Sequence, residues 1–254
     1  MPIEDKHDIQ SAYRDTNLAG GYIPERFGRP MGSVQHERQV AWVREALRAN
    51  GCRRVLELAP GPARLTAHVQ GNFDGVAMDY SPEMLSLARK RLGETSMAGR
   101  WRLVRGDAFV LPFPDGALDA VYTFRFVRHF REDKRRALVS EIRRVLRPGG
   151  VYLSDFEHAP PAREKGNESG GRDRTPAGWI YDALLTPEEI AAEMESLGFA
   201  TAEIRPNIRH PRLQGQFDRK PGWGFGGLRR CIVRCLERIP GKEPLEWLVL
   251  GRKR

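Results

Sequence analysis

A carboxylate followed at once by a tight turn of small residues is where this chain first suggests chemistry. Val55-Leu56-Glu57-Leu58 runs apolar into Ala59-Pro60-Gly61-Pro62-Ala63, and a helical pattern resumes at Arg64-Leu65-Thr66. Small residues at Ala59, Gly61 and Ala63 let a ligand come close to the backbone, as a strand-to-helix turn does when it meets a nucleotide. Roughly 20 residues further on comes Asp79, in Met78-Asp79-Tyr80-Ser81, where an acid at the end of the second strand accepts hydrogen bonds from ribose hydroxyls. A third acid stands in Gly106-Asp107-Ala108. Its carboxylate suits an adenine amine, and Ala108 leaves room for the ring. Leu111-Pro112-Phe113 forms an apolar turn suited to walling a purine.

These residues need a scaffold of strand ends, and the hydrophobic pattern supplies one. After an irregular stretch to about Ser33, residues Gln35 to Asn50 have helical periodicity, with Val40, Trp42, Val43 and Leu47 on one side. Strands are predicted at Arg54–Leu58, Gly75–Asp79, Trp101–Arg105, Leu118–Phe124, Val151–Phe156, Phe199–Arg205 and Leu245–Gly251. Helices are predicted at Ala63–Gln70, from Ser81 to about Leu92, at Glu132–Leu146, from Thr186 to Leu197 and at Leu228–Ile239. Ser81 and Thr186 have the character of helix N-caps, and Pro148-Gly149-Gly150 is a stop. Strands alternating with helices predict an α/β fold with a mostly parallel sheet covered on both faces.

The same segments carry a family resemblance. Glu57 to Ala63, Asp79, Gly106-Asp107-Ala108, Leu118-Asp119-Ala120-Val121 and Arg144-Val145-Leu146-Arg147-Pro148-Gly149-Gly150 follow in order at compatible spacing. Together, over roughly residues 50 to 156, they resemble the class I S-adenosylmethionine-dependent methyltransferases. The likeness is nearest to the small-molecule enzymes of the ubiquinone/menaquinone-biosynthesis type, with a methyltransferase domain 11-like core. It implies a Rossmann-like three-layer sandwich whose last strand is antiparallel. It also implies a lid and helix over 1–50, and a methyltransferase domain over 51–254 with inserts around 157–180 and 206–239. The cofactor implied is S-adenosyl-L-methionine, held by Glu57 on the methionine side, by the Ala59 to Gly61 backbone, and by Asp79 at the ribose. Tyr80 and Met84 would lie beside the adenine, Asp107 and Ala108 at its edge, and Thr123 and Phe124 near the transferred methyl. Tyr22 and Arg26 belong to the implied lid, with Arg26 suited to the methionine carboxylate. The family often has glycine where this chain has Ala59 and Ala63.

Methyl transfer from a sulfonium requires in-line approach, and a hydroxyl nucleophile gains from a general base. His129, in Phe126-Val127-Arg128-His129-Phe130, is the candidate base; the alternative is a structural histidine capping the next helix. Arg125 and Arg128 would clamp an anionic substrate or face water. Asp155, Glu157 and His158 belong to the sheet edge where ligands of open parallel sheets bind. The expected acceptor is a small organic or lipid-like molecule. An RNA methyltransferase and a noncatalytic scaffold are the alternatives, the first suggested by the net charge of +9. Nucleic acid is disfavoured by the absence of an Asn/Asp-Pro-Pro-aromatic motif at Thr123-Phe124-Arg125-Phe126. No metal site is expected, because Cys231 and Cys235 make only a pair and are expected to pack in the core. Three cysteines and no export pattern at the N-terminus point to the cytoplasm. The helix Leu228–Ile239 has Leu228, Ile232, Cys235 and Ile239 on one side and arginines elsewhere. It would pack on its own domain or lie on an anionic membrane.

Overall fold

The order of strands follows from where the chain reverses. The computed structural model describes residues 27–96, 99–159, 174–175, 178–179, 181–218, 226–241 and 243–254. Helix α1 (Pro30–Ala49) leads into β1 (Arg54–Leu58) and β2 (Asp74–Asp79). Then come α2 (Pro82–Gly93), β3 (Trp101–Arg105), β4 (Leu118–Tyr122), α3 (Glu132–Val145) and β5 (Leu146–His158). Short strands β6 (Arg174–Thr175), β7 (Gly178–Trp179) and β8 (Leu184–Leu185) precede α4 (Pro187–Ser196) and β9 (Phe199–Asn207). The chain ends with α5 (Pro211–Gln214), α6 (Gly226–Leu236) and β10 (Glu246–Lys253). The main sheet runs β3-β2-β1-β4-β5-β10-β9, with β8 attached to β5, while β6 and β7 pair only with each other. All pairs from β3 to β5 are parallel; β10 slots between β5 and β9, antiparallel to both. The chain grows outward from β1 to β3, then returns to β4. The crevice at the carboxyl ends of β1 and β4 is therefore the switch point where open parallel sheets bind ligands.

The strand sequences explain their positions. Every residue of β4 and all but the first of β1 are buried, as expected for central parallel strands covered on both faces. Alternate side chains feed two cores. Leu56, Leu58, Met78 and Val121 pack with α3 and α4 through Leu138, Ile142, Ile190 and Met194. Val55, Ala77 and Leu153 pack with α1 and α2 through Val43, Leu47, Ala88 and Leu92. This is the three-layer Rossmann-like sandwich with an antiparallel last strand that the sequence predicts.

The structure corrects several local expectations. Residues 61–68 form consecutive turns where a helix is predicted over Ala63–Gln70. The reason is backbone handedness: Ala63 has φ 59°, and of α-type bonds only Ala67 N to Ala63 O and Val69 N to Leu65 O form there. Helix α1 begins five residues early, at Pro30, with proline in its first turn where its missing N–H costs nothing. Strand β4 stops at Tyr122, two residues short of Phe124.

Of the two placements open to helix α6, the structure does not bury its apolar stripe in its own domain. Val233 on the helix and Glu237 just past its end are buried, whereas Leu228 is 59% and Ile239 52% exposed. Cys231 and Cys235 are exposed as well, not packed in the core. Ion pairs from the inner side to α1 decide the orientation. Arg230 and Arg234 pair with Glu37, and Glu237 pairs with Arg38 at 3.1 Å.

Candidate functional site

The cleft at the switch point is lined by Glu57, the turn from Ala59 to Pro62, Arg64, Asp79 to Ser81, Met84, Gly106 to Phe109, Phe124 to Phe126, His129 and Phe130. Its floor is the turn after β1. Ala59, Gly61 and Ala63 have φ of 54°, 56° and 59°, three left-handed residues alternating with two prolines. Such a turn needs external support. Ala59 N donates to Met78 O at 2.8 Å, Gly61 N to Asp79 Oδ2 at 3.0 Å, and Ser81 N to Asp79 Oδ1 at 3.0 Å. Asp79 thus ties the floor to the end of β2 before any ligand arrives. Burial raises its pKa, against the pull of the backbone N–H groups it accepts. A side-chain carbon added at Gly61 would meet no atom within 4 Å, so the space above the turn is open to a ligand.

Glu57 lies on the same floor. Its carboxyl is fully buried, accepts the Tyr122 hydroxyl at 2.8 Å, and is pushed up to about 7 by burial. Beside it, Arg64 is buried over the Phe27 ring, 4.0 Å from its centroid, and Nη1 donates to His36 Nδ1 at 2.9 Å. Burial and the Arg64 charge hold His36 down at about 3, so it is neutral and free to accept. Arg64 is the residue the sequence reading missed. Its signal was position alone, a cation directly after the small-residue turn.

The opposite wall suits a flat ring. Ser81 caps α2 by accepting Met84 N at 3.1 Å, which fixes Met84 against the cleft. Asp107 Oδ1 accepts Phe109 N at 3.0 Å and shapes the turn that presents Ala108. A side chain at Gly106 would press on the Met78 thioether, which would have to move. Tyr80 lies under Arg105, 5.8 Å from ring centroid to guanidinium carbon. Phe124 packs edge-on against Trp42 and Tyr122. Thr123 is not among the lining residues; its N–H donates to Leu153 O at 3.0 Å, toward β5. Leu111 and Phe113 do not line the cleft either, because Arg144 gathers both their carbonyls toward α3. Tyr22 and Arg26 lie outside the described residues.

His129 sits on the 3-10 turn Val127–His129 at the far end of the cleft, 1% exposed. Its Nδ1 is 3.0 Å from Tyr181 O and 2.8 Å from Asp182 Oδ1. A carbonyl only accepts, so in the neutral ring Nδ1 carries the hydrogen and Nε2 the lone pair. Nε2 is buried and has no hydrogen-bond partner among the described residues.

The neighbouring Arg128, also 1% exposed, neither clamps a substrate nor faces water. It lies 3.2 Å from Asp155, 3.5 Å from Glu157 and 3.0 Å from Asp182, and its carbonyl accepts Ala183 N at 2.7 Å. Asp155 and Glu157 are therefore committed to Arg128, and His158 accepts the Trp247 indole N–H at 3.2 Å. None of the three lines the cleft. Arg125 does; its left-handed backbone, φ 56°, donates to Asp155 at 2.6 Å.

Comparison with known proteins adds four relations. A family profile described as a methyltransferase domain matches residues 55–150. The ubiquinone/menaquinone biosynthesis C-methyltransferase of Proteus mirabilis is 32% identical over 190 residues, 70% of this chain and 70% of that protein. The demethylmenaquinone methyltransferase of Deinococcus radiodurans is 29% identical over 225 residues, 79% of this chain and 90% of that one. Among solved structures, the magnesium protoporphyrin IX methyltransferase of Synechocystis, with bound SAH, superposes with a TM-score of 0.65. It covers 98% of this chain and 100% of the other at 13% identity, a likeness of fold.

Proposed function

The chain belongs to the class I S-adenosylmethionine-dependent methyltransferases and methylates a small acceptor, and from that premise we propose which residues do what. The donor fits the cleft: a buried carboxyl at Glu57 suits an ammonium, Arg64 a carboxylate, and Asp79 a pair of hydroxyls. The apolar pair Met84 and Ala108 suits a purine, with Tyr80 beside it and Asp107 at its edge. Bound there, S-adenosylmethionine supplies an electrophilic methyl on a sulfonium.

The acceptor in this reading is a weakly acidic hydroxylated ring, methylated on oxygen or on the ring carbon that its oxyanion activates. His129 Nε2 takes the hydroxyl proton. Tyr181 O and Asp182 hold the hydrogen on Nδ1 and leave the Nε2 lone pair for the acceptor's proton, and Asp182 offsets the charge His129 gains. Phe124, Phe126 and Phe130 keep water away from the site and give a flat acceptor an apolar seat. The relatives named for quinone biosynthesis support an acceptor of this kind. Reduced thiols at Cys52, Cys231 and Cys235 support a cytoplasmic setting, and no helix among the described residues is long and apolar enough to cross a membrane.

The observation that carries the base assignment is that His129 lines the cleft and its buried Nε2 has no hydrogen-bond partner among the described residues. His129→Asn is expected to lower kcat by about 10²- to 10⁴-fold in a methyl-release assay. Its affinity for S-adenosylhomocysteine should stay unchanged by calorimetry. Turnover within twofold of wild type would remove His129 as the base.

A further inference from the structure

Helix α6 presents its apolar side to solvent. Leu228, Cys231, Ile232 and Cys235 follow at helical spacing, and Ile239 continues the line past the helix end. Leu228, Cys231, Cys235 and Ile239 are exposed and Ile232 half-buried. Leu213 on α5, 44% exposed, belongs to the same corner, which therefore holds three of the four exposed large apolar side chains among the described residues. A soluble helix ordinarily does the reverse. Here the inner side is held by polar contacts: Arg230 and Arg234 pair with Glu37, and Glu237 accepts Arg209 N at 2.7 Å and the Gln214 amide at 2.8 Å.

The charges flanking the stripe have one sign. Arg229 borders it on one edge and Arg238 on the other, by helical angle. Glu237, the only acid from 226 to 241, is buried on the inner side against Arg38. An apolar stripe edged by arginines matches acyl chains beneath anionic headgroups. A nucleic-acid backbone would match the arginines and leave the stripe uncovered. We infer that the outer face of α6 docks this protein on an anionic phospholipid surface. Helix α6 is anchored through its inner side to Glu37 on α1, one residue after His36, which receives the Arg64 hydrogen bond. The docking itself is independent of which residue acts as base.

The test uses the native cysteines on the stripe. Cys231 and Cys235 are exposed and Cys52 is buried, so a thiol-reactive, environment-sensitive fluorophore reports on α6 without any substitution. The full chain so labelled is mixed with vesicles of equal phosphatidylglycerol and phosphatidylcholine, or of phosphatidylcholine alone. Expected are a blue shift and quenching by acyl-chain spin labels with the anionic vesicles only, weakening as salt rises. In co-sedimentation of unlabelled protein, Leu228→Ser/Ile239→Ser and Arg229→Glu/Arg238→Glu should each bind about tenfold or more weakly, a loss of about 1.4 kcal/mol or more. Both should keep wild-type melting and S-adenosylhomocysteine affinity. Absence of shift and sedimentation with anionic vesicles overturns the inference. So does equal binding by folded variants, or a dimer that Leu228→Ser/Ile239→Ser dissolves without any vesicle binding.

Discussion

The two ends of the cleft are built by different means. The end from Glu57 to Asp107 is made of residues at or just past the tips of β1, β2 and β3, each supported by neighbours in the adjacent strand. The end around His129 depends on distant partners: Asp182 lies 53 positions along the chain, and Arg128 draws in Asp155, Glu157 and Asp182. The first end is backbone turns and small residues, held by hydrogen bonds to main chain. The second is a buried cluster of charge, stable only while its members balance. A conserved donor can be met by a fixed strand-end frame, whereas an acceptor-specific wall can be rebuilt by changing the segments that return to it.

Arg128→Leu attacks the second end most severely. It would leave three buried carboxylates around one vacated position and is expected to cost about 3–5 kcal/mol, read from the urea midpoint. A loss under about 1 kcal/mol would mean that the charge cluster does not hold this end together.

The first end should respond to pH instead. Glu57 is pushed up to about 7 by burial, so the apo protein holds it mostly protonated below that value. Because the folded value lies above the unfolded one, its contribution to stability is present below about 4.5 and is lost as pH rises through about 7. Donor binding runs the other way, since an ammonium prefers the ionised carboxylate. Affinity for S-adenosylmethionine is expected to fall about fivefold between pH 7 and pH 6, a dependence that Glu57→Gln abolishes. A flat profile in wild type would separate Glu57 from the donor.

The smallest effect concerns the turn. Ala59 pays a left-handed penalty of about 1–2 kcal/mol, of which glycine would return part after its own chain-entropy cost. Ala59→Gly is therefore expected to raise stability by about 1 kcal/mol in thermal unfolding, with donor affinity preserved. Destabilisation would show that the alanine methyl packs productively.

Legibility in the sequence follows the same division. The strand tips were readable because Glu57, Asp79 and Asp107 each sit within a few residues of an apolar run that ends in a turn. The conformation of Ala63 was not, since helical spacing after Arg64 says nothing of a left-handed residue before it. His129 stood out by type, but its orientation rests on Tyr181 and Asp182, which no local spacing connects to it. The fate of Arg128 was hidden for the same reason. For helix α6, periodicity finds an apolar stripe and cannot say whether protein covers it, so packing on its own domain and docking on a membrane both stayed open while its cysteines were expected in the core. The ion pairs to Glu37 and Arg38 lie nearly 200 positions away in sequence.

The central claim is that the floor tied together by Asp79 holds the methyl donor. Calorimetric titration of S-adenosylhomocysteine into the wild-type chain and Asp79→Ala tests it most directly. One site on the wild type is expected, with affinity at least about tenfold weaker in the variant, because two hydroxyl acceptors and the anchor of Gly61 are lost together. Equal affinity in a folded Asp79→Ala chain, or no heat with the wild type, would contradict it.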